Sequence, residues 1–321
     1  MNLFFMWLIK SDEETDENFG KRPEDRTIEE LIKSSVIIVD KHSGPTSHQI
    51  TDWTKKIFSV KKAGHTGTLD PAVTGVLLVA LGNATKAMPA LVGLKKEYVG
   101  IMHLHKETPE DLLRETVSSF VGKIKQMPPV KSAVARKIRE REIYFFDVVE
   151  IQGKDALFHV GCEAGTYIRK LVHDLGIALG VGAHMRELRR VKVGEFTEEK
   201  AKGLVEIKDA YEIWKEGDET KLRKILIPVE HAILHVKKIF VKDSAVDSVC
   251  NGSPVYVNGI TRIQEGILAG ETIAVYTLKG ELIALGIAKM DSKKIFTAKR
   301  GVAVRTDRVL MERGIYPKMW Q

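Results

Sequence analysis

The most informative part of this 321-residue chain is residues 64–77, which read GHTGTLDPAVTGVL. Glycines and a proline interrupt the first half of this stretch, and such residues mark loops and turns. The second half leads into an apolar run at residues 73–81, which is typical of a buried strand. Taken alone, Asp70 before Pro71 would be a turn former whose carboxylate accepts nearby backbone N–H groups. The stretch therefore predicts a loop that presents Asp70 and continues into a strand.

The segments around this loop show both strand and helix patterns. Short β-branched or apolar runs predict strands at residues 36–39, 73–81, 97–104, 143–151 and 156–162. Helical spacing of apolar side chains predicts helices at residues 47–57, 112–120 and 167–179. A capping box formed by Thr27 and Glu30 predicts the start of a further short helix. This mixture indicates an α+β domain up to about residue 197.

The pattern changes after residue 237. Short β-branched segments then recur between glycines, at residues 239–242, 255–258, 272–277 and 282–290. That spacing is typical of a small barrel of short strands, so it predicts a second domain. A charged, helix-prone segment broken at Pro228 precedes it. Near the other end of the chain, the acidic run at residues 11–26 predicts a linker or a mobile arm.

The composition is that of a globular protein with a modest excess of positive charge. The formal net charge of +7 allows an acidic partner such as nucleic acid without requiring one. The two cysteines, Cys162 and Cys250, are far apart, so they indicate neither a zinc site nor a disulfide framework, and they fit a reducing compartment. The apolar N-terminus lacks the basic start of a signal peptide, and no segment is long enough to cross a membrane. We therefore expect a cytoplasmic protein whose N-terminus docks on the folded body.

Five segments resemble the motifs of the TruB family of RNA pseudouridine synthases, and they occur in the family's order. They are residues 40–47, 64–77, 96–98, 165–169 and 188–196. The resemblance covers nearly all of the chain from about Val36, and five ordered matches are far more specific than one. It implies an isomerase that converts uridine in RNA to pseudouridine without a cofactor or a metal. One departure is local: His42 and Ser43 stand where the related branch generally has proline, which touches no predicted catalytic group.

The resemblance implies a role for one residue in each of four motifs. Asp70 would be the nucleophile, and Arg169 would be its guanidinium partner. Tyr98 would stack on the target base and serve in hydrogen bonding or proton transfer, while Leu188 would form an apolar wall of the uracil pocket. The chemistry suits these residue types, because a carboxylate can add to the nucleoside or stabilise a cationic sugar, and a guanidinium keeps it ionised and directed. Without the resemblance, Arg169 would be a surface arginine, and Tyr98 and Leu188 would be core residues.

The target uridine lies in folded or paired RNA, so the enzyme has to extrude it. The resemblance implies that His65 enters the space left by the flipped nucleotide; the alternative is a hydrogen-bonded structural histidine. A basic segment at residues 128–142 resembles the family's flexible thumb, and clustered Lys and Arg suit phosphate contacts. Lys41 is a candidate either for a phosphate contact or for support of the site. The predicted RNA contacts in full are Lys41, His65, Thr66, Lys131, Arg136, Lys137, Arg189 and Lys242.

The C-terminal part of the chain resembles a PUA domain, which is a small RNA-binding barrel. The resemblance is carried by residues 242–252, by the glycines between residues 259 and 271, and by residues 285–288. Together with the catalytic motifs, it makes the chain similar to the archaeal dyskerin-like branch of the family, the catalytic subunit of H/ACA guide ribonucleoproteins. The implied division is an N-terminal extension with a short helix (1–35), a catalytic domain (36–235), a PUA domain (236–313) and a tail (314–321).

That branch implies particular partners. An H/ACA guide RNA would pair with the target in ribosomal RNA, or in transfer RNA, and the PUA domain would grip the guide. The implied protein partners are a small zinc-ribbon protein, a β-barrel protein of the glycine/arginine-rich class and a kink-turn-binding protein, with no membrane partner. Two alternatives stay open. One is a stand-alone tRNA pseudouridine synthase that selects its uridine by RNA shape, and the other is a non-catalytic RNA-binding scaffold that uses the PUA domain alone.

Overall fold

Two mixed β-sheets with helices packed on them form the chain, in a computed structural model that describes residues 6–127 and 137–318. The strands are β1 (Trp7–Ile9), β2 (Ser35–Lys41), β3 (Ala63–Thr66), β4 (Thr74–Leu81), β5 (Lys96–Leu104), β6 (Gly122–Gln126), β7 (Arg139–Gln152), β8 (Asp155–Cys162), β9 (Ala183–Val193), β10 (Phe196–Thr197), β11 (Ile227–Pro228), β12 (Lys238–Val241), β13 (Val255–Tyr256), β14 (Ile260–Gln264), β15 (Thr272–Tyr276), β16 (Leu282–Ala288) and β17 (Val302–Val309). The helices are α1 (Ile28–Lys33), α2 (Ser47–Ile57), α3 (Met88–Val92), α4 (Glu110–Ser119), α5 (Ile168–Ala178), α6 (Leu204–Lys215), α7 (Thr220–Ile225), α8 (Val229–Ala232), α9 (Asp243–Cys250) and α10 (Ser292–Thr297). Within the described residues, no helix combines the length and apolar character needed to span a bilayer.

The larger sheet has ten strands and carries the Asp70 loop. Its order is β11-β2-β4-β9-β5-β8-β7-β6, with β3 paired to β4 and β10 paired to β9. The pair β4 and β9 is parallel, and the other described pairs in this sheet are antiparallel. This arrangement confirms the predicted α+β class. It also places β4, which follows the Asp70 loop, beside β9, and β9 beside β5.

The central strand β9 is absent from the predicted strands. Six of its eleven residues are His, Arg, Glu or Lys, and one of its buried positions is Arg190, which is 1% exposed. Alternation of apolar and polar residues is the pattern that identifies a half-buried strand. A buried arginine breaks that alternation, so the sequence of β9 does not identify it as a strand. It is identified from its pairing with β4 and β5.

Two glycines allow the central strands of the larger sheet to approach each other. Gly75 on β4 has a φ of +102°, and a Cβ there would lie 2.2 Å from the carbonyl oxygen of Arg190. Gly100 on β5 faces β9, and a Cβ there would lie 2.8 Å from Cδ1 of Leu188. Any larger residue at either position would have to push a neighbouring group away. These contacts set the spacing of β4, β9 and β5 beneath the loop.

The smaller sheet contains the region predicted as a PUA domain. Its seven strands run in the order β1-β14-β12-β15-β16-β17-β13, and α9 and α10 pack against it around a separate hydrophobic core. The N-terminal strand β1 forms one edge, where Leu8 pairs with Ile263 of β14. The expectation that the apolar N-terminus docks on the folded body is confirmed for its described part, and the docking is by strand addition.

Residues 11–26 lie against the second domain, so the prediction of a free linker or mobile arm is wrong. The Oγ1 of Thr15 donates to the carboxylate of Asp243 at 3.0 Å. The carboxylate of Glu13 pairs with Nζ of Lys242 at 2.6 Å. Composition alone marks an acidic run as unable to bury apolar surface. Here the run is held by polar partners instead, which composition does not reveal.

The N-terminal extension also joins the two sheets. Glu230 on α8 is 4% exposed, and its carboxylate accepts two hydrogen bonds from the guanidinium of Arg26, at 2.9 and 3.1 Å. The same carboxylate accepts a third bond, at 3.0 Å, from the backbone N–H of Leu282 in the second domain. A buried carboxylate is tolerated when charge and hydrogen bonds are both satisfied. Glu230 therefore ties the extension, the larger sheet and the smaller sheet together.

Candidate active site

The Asp70 loop connects β3 to β4, and buried residues flank the aspartate. Leu69 and Val73 are 4% and 3% exposed, and both belong to the hydrophobic cluster beneath the larger sheet. Asp70 itself leaves this core, and 52% of its side chain is exposed. The apolar neighbours therefore anchor the loop and present the carboxylate at the surface, where a substrate can reach it.

The exposed carboxylate of Asp70 is paired with the guanidinium of Arg169, whose Nη2 donates to Oδ2. Arg169 is the second residue of α5, and its neighbour Ile168 is buried in the same cluster as Leu69. The carboxylate thus lies near the N-terminal end of α5, where the helix dipole also favours negative charge. Two predicted residues that are 99 positions apart are brought together.

A buried lysine and a buried serine hold this loop from below. Nζ of Lys41 donates to the carbonyl oxygens of His42, Pro71 and Val73, at 3.0, 2.9 and 2.8 Å. Oγ of Ser47, at the start of α2, accepts from the N–H of Leu69 at 2.8 Å and donates to the carbonyl of the same residue at 3.0 Å.

These contacts decide between the two predicted roles of Lys41. The residue is fully buried, and burial lowers the pKa of its ammonium group while the charge of Asp70 opposes that shift. No surface remains for a phosphate. The predicted RNA contact is therefore corrected to a supporting role.

We expect Lys41→Met to destabilise the protein. Three carbonyl groups would lose their common donor, and buried acceptors left unsatisfied are costly, so the free energy of unfolding should fall by about 3 kcal/mol. Urea denaturation followed by circular dichroism measures this difference. Lys56→Met is the matched control, because Lys56 is exposed on α2 and pairs only with Asp52. Equal stability of the two variants would contradict the supporting role.

Tyr98 and Leu188 lie on the same face of the larger sheet. Tyr98 on β5 is opposite Arg190 of β9, and two residues further along β5, Gly100 is opposite Leu188. Leu188 lies against Gly100, which has no side chain, and both Leu188 and Tyr98 are buried in the cluster that contains Leu69. A β-bulge separates the pairs of Glu97 and Tyr98, and bulges re-aim side chains next to functional sites.

Burial raises the pKa of the Tyr98 phenol, and the nearby charge of Arg190 opposes that shift. Tyr98 is therefore a neutral phenol at physiological pH. As such it keeps an O–H donor together with a flat apolar ring. Leu188 adds an apolar side chain to the same buried cluster.

His65 lies on β3 and is partly buried. Its Nδ1 is 2.9 Å from Oγ1 of Thr51, and its Nε2 is 3.4 Å from Oγ1 of Thr68. Burial, together with the charges of His48 and Arg190, lowers the pKa of His65 to about 4. The ring is therefore uncharged at neutral pH, as suits a group that would stack within RNA. Its hydrogen bonds also fit the alternative of a structural histidine.

The other predicted RNA contacts lie in different environments. Thr66 is fully buried, so the predicted RNA contact is corrected for this residue as well. Arg189 is partly exposed, and its guanidinium pairs with Asp40 at 3.0 Å and with Glu198 at 2.6 Å. Lys242 pairs with Glu13, as described above, and Lys137 is exposed at the edge of the described range. Lys131 and Arg136 lie outside the described residues.

Gln126 is a site residue that the sequence patterns do not identify. It is 2% exposed at the end of β6, and its side-chain amide bonds both backbone groups of Tyr167, accepting at 3.0 Å and donating at 3.2 Å. This tie fixes the chain just before Arg169. A glutamine followed by apolar residues carries no local signal of such a role, because its partner is 41 positions away. Among the described residues, no group of His, Cys, Asp or Glu is arranged to hold a metal ion.

Family models match almost the whole length of the chain. A DKCLD (NUC011) domain matches residues 4–51, and the N-terminal domain of TruB family pseudouridylate synthase matches residues 55–168. The tRNA pseudouridylate synthase B C-terminal domain matches residues 169–234, and a PUA domain matches residues 237–310. The boundary between the two pseudouridylate synthase domains falls between Ile168 and Arg169, within α5.

Individual relatives cover the chain from end to end. The probable tRNA pseudouridine synthase B of Methanopyrus kandleri is 52% identical over 314 residues, which are 98% of this chain and 93% of the relative. A chain in the crystal structure of a Cbf5–Nop10–Gar1 complex is 47% identical with a TM-score of 0.92, covering 99% of this chain and 98% of that chain. A chain in the structure of an H/ACA RNP bound to a substrate RNA containing 2'-deoxyuridine is 46% identical with a TM-score of 0.91, at the same coverage. The chain therefore belongs to the TruB family of RNA pseudouridine synthases.

Proposed function

We propose that this chain isomerises uridine in RNA with Asp70 as the nucleophile and Arg169 as the group that orients it. The observation that carries the proposal is the ion pair of these two residues at the surface, on a loop whose buried residues Leu69 and Val73 share one hydrophobic cluster with Tyr98 and Leu188. An exposed, directed carboxylate over an apolar, aromatic floor suits a sugar carbon above and a uracil ring below. A structural ion pair would need neither the exposure nor that floor.

The reaction exchanges two bonds for two others without a cofactor. The bond from the sugar carbon to uracil N1 breaks and leaves its electron pair on the base, the base turns, and the same sugar carbon bonds to uracil C5. The hydrogen on C5 then leaves as a proton, and N1 takes up a proton, so the product is an isomer of uridine. The carboxylate of Asp70 would add to the nucleoside or stabilise the cationic sugar. Tyr98 would stack on the free base, and Leu188 would confine it while it turns. Arg169 would keep the carboxylate aimed.

We propose further that the chain works in the cytoplasm as the catalytic subunit of a guide-RNA complex, with ribosomal RNA as the main target. Solved structures of similar chains contain Nop10 and Gar1 in one case and an H/ACA RNP with substrate RNA in another. The PUA domain match supplies a candidate surface for the guide. The partners proposed are an H/ACA guide RNA and the zinc-ribbon, glycine/arginine-class and kink-turn-binding proteins of such a complex.

A second candidate function has its own support. Relatives that are about half identical over the same length are named as probable tRNA pseudouridine synthases. A stand-alone activity on transfer RNA is therefore a rival to guided activity. The two functions do not exclude each other, because both would use the same site around Asp70.

Guided and unguided activity can be separated by one assay. We expect that an RNA oligonucleotide matched only to a guide is isomerised when guide RNA and partner proteins are present and stays unmodified without guide. The reason is that this substrate has no folded shape to recognise. Tritium released from C5 of uracil measures the reaction, and a guide with a scrambled pairing region is the control. Equal rates with scrambled and matched guides would contradict the guided function, and activity on transfer RNA alone would favour the rival.

The domain division and the RNA contacts stay proposals. We propose an N-terminal extension (1–35), a catalytic domain (36–235), a PUA domain (236–313) and a tail (314–321), which is supported by the two separate sheets. The pairing of β1 with β14 of the smaller sheet supports a place for the extension beside the PUA domain. The proposed RNA contacts that keep exposed surface are His65, Lys137, Arg189 and Lys242.

A further inference from the structure

Arg190 lies at the centre of the larger sheet, beneath the Asp70 loop. It is 1% exposed on β9, where it stands opposite Gly75 of β4 on one side and Tyr98 of β5 on the other. The closing motif that contains it has a proposed pocket wall in Leu188 and a proposed RNA contact in Arg189. The proposed reaction assigns no role to Arg190.

The guanidinium of Arg190 ties the two ends of the loop to each other. Nη1 donates to the carbonyl oxygen of Gly67 at 3.0 Å, just after β3 ends. Nε donates to the carbonyl oxygen of Val76 at 2.7 Å, within β4. Asp70 lies between these two points. The planar guanidinium holds its donors in a fixed geometry, so the two bonds also define the distance between the ends of the loop.

The charge of Arg190 is unusual for a buried side chain. In the described parts of the chain, Arg190 forms no ion pair, and its Nη2 is buried without a hydrogen-bond partner. Burying a cation that no carboxylate compensates is costly for stability. A residue selected for packing alone would avoid that cost, since an apolar side chain could fill the same space.

The field of this cation reaches the proposed reaction groups. Burial lowers the pKa of Lys96 to about 8, and the charge of Arg190 contributes to that shift. The same charge contributes to the low pKa of His65. It also opposes the rise in the pKa of Tyr98. Arg190 thus hydrogen-bonds both ends of the loop and also places a positive charge near Tyr98 and His65.

We propose that Arg190 is a positioning residue of the pseudouridine synthase site, which holds the Asp70 loop closed from beneath and keeps its carboxylate in register with Arg169. The inference rests on the proposed function, because it takes Asp70 as the reacting group. It does not place Arg190 in contact with the substrate. The loss of this residue should therefore slow the chemical step without weakening the binding of RNA.

The test compares Arg190→Met and Arg190→Lys in the full chain, assembled with its guide RNA and partner proteins. Single-turnover tritium release with excess enzyme measures the chemical step, and filter binding measures the dissociation constant for RNA. We expect Arg190→Met to react about a hundredfold more slowly, because a misplacement of about 1 Å can have that effect, with an unchanged dissociation constant. Arg190→Lys keeps the charge but lacks the planar fork, so it should recover only part of the rate.

A second readout separates positioning from general stability. Amide hydrogen exchange in Arg190→Lys should rise in the peptide that covers residues 67–76 and stay unchanged in β7 and β8. Arg186→Met is the matched control, because Arg186 is an exposed arginine of the same strand whose ion pair is with Asp155. If Arg190→Met does not fold, Arg190→Lys decides the question.

The outcomes distinguish this inference from the function on which it rests. A wild-type single-turnover rate in Arg190→Lys, or in folded Arg190→Met, would overturn the positioning role while Asp70 remained the nucleophile. Turnover by a variant without the Asp70 carboxylate would overturn the proposed function instead. A loss of RNA affinity equal to the loss of rate would also overturn the inference, because it would make Arg190 a binding residue.

Discussion

Asp70→Asn should bind RNA as the wild-type enzyme does and reduce uridine isomerisation by at least about a thousandfold, as the removal of a reacting group does in other enzymes. Asparagine has nearly the same shape, so Leu69 and Val73 should keep the loop anchored in the core. An amide lacks the negative charge needed to add to the sugar or stabilise a cation. Half of the Asp70 side chain is exposed, so little packing energy depends on it.

The measurement is tritium release from C5 of uracil under single-turnover conditions, beside filter binding of the same RNA. Asp52→Asn is a matched control, because Asp52 is an exposed carboxylate on α2 that pairs with a lysine. It should retain full activity. Isomerisation by Asp70→Asn above a few per cent of the wild-type rate would mean that another group attacks or stabilises the sugar, and the nucleophile proposal would then be abandoned.

Arg169→Met should have the second-largest effect, a loss of about a hundredfold or more in the single-turnover rate. Without the guanidinium, the exposed carboxylate of Asp70 would lose the donor that directs it and would be free to rotate into solvent. Arg169→Lys should recover part of the rate, because a lysine keeps the charge but not the directed N–H geometry. The ion pair itself is exposed on both sides, so the stability of the fold should change little.

Lys170→Met serves as the control for this series, because Lys170 is the next residue of α5 and pairs with Asp174 along the same helix. Thermal unfolding of all three variants shows whether the fold is intact. The prediction is contradicted if Arg169→Met is as active as Lys170→Met. It is also contradicted if the dissociation constant for RNA accounts for the whole effect, since the role of Arg169 would then be in binding.

The strongly apolar elements could be predicted without a structure. The strand patterns at residues 36–39, 73–81 and 97–104 correspond to β2, β4 and β5, and the helix pattern at 167–179 corresponds to α5. The capping box of Thr27 and Glu30 is also present, with both reciprocal hydrogen bonds. These signals are local, because a buried strand or a capped helix is recorded in neighbouring residues.

The supporting groups of the site could not be predicted in the same way. In the sequence, Lys41 follows an apolar run and opens a polar stretch, and local rules place such a lysine in solvent, whereas in the structure it is the buried last residue of β2. Its burial depends on carbonyl groups of a loop about 30 positions away. Arg190 likewise reaches Gly67 across 123 positions. Long side chains choose their partners through the packing of whole strands, and no window of sequence contains both members of these pairs.

The surroundings of Asp70 illustrate which features follow from the sequence and which follow from the fold. The order of the residues alone specified the loop, the apolar strand that follows it and the five motifs that identify the family. Folding specified that the carboxylate meets Arg169 at the surface, that Lys41 and Arg190 lie beneath it, and that Tyr98 and Leu188 share its core. The physical reason is range: backbone preferences and apolar patterns act over a few residues, whereas an active site is made of side chains that only the closed sheet brings within hydrogen-bond distance.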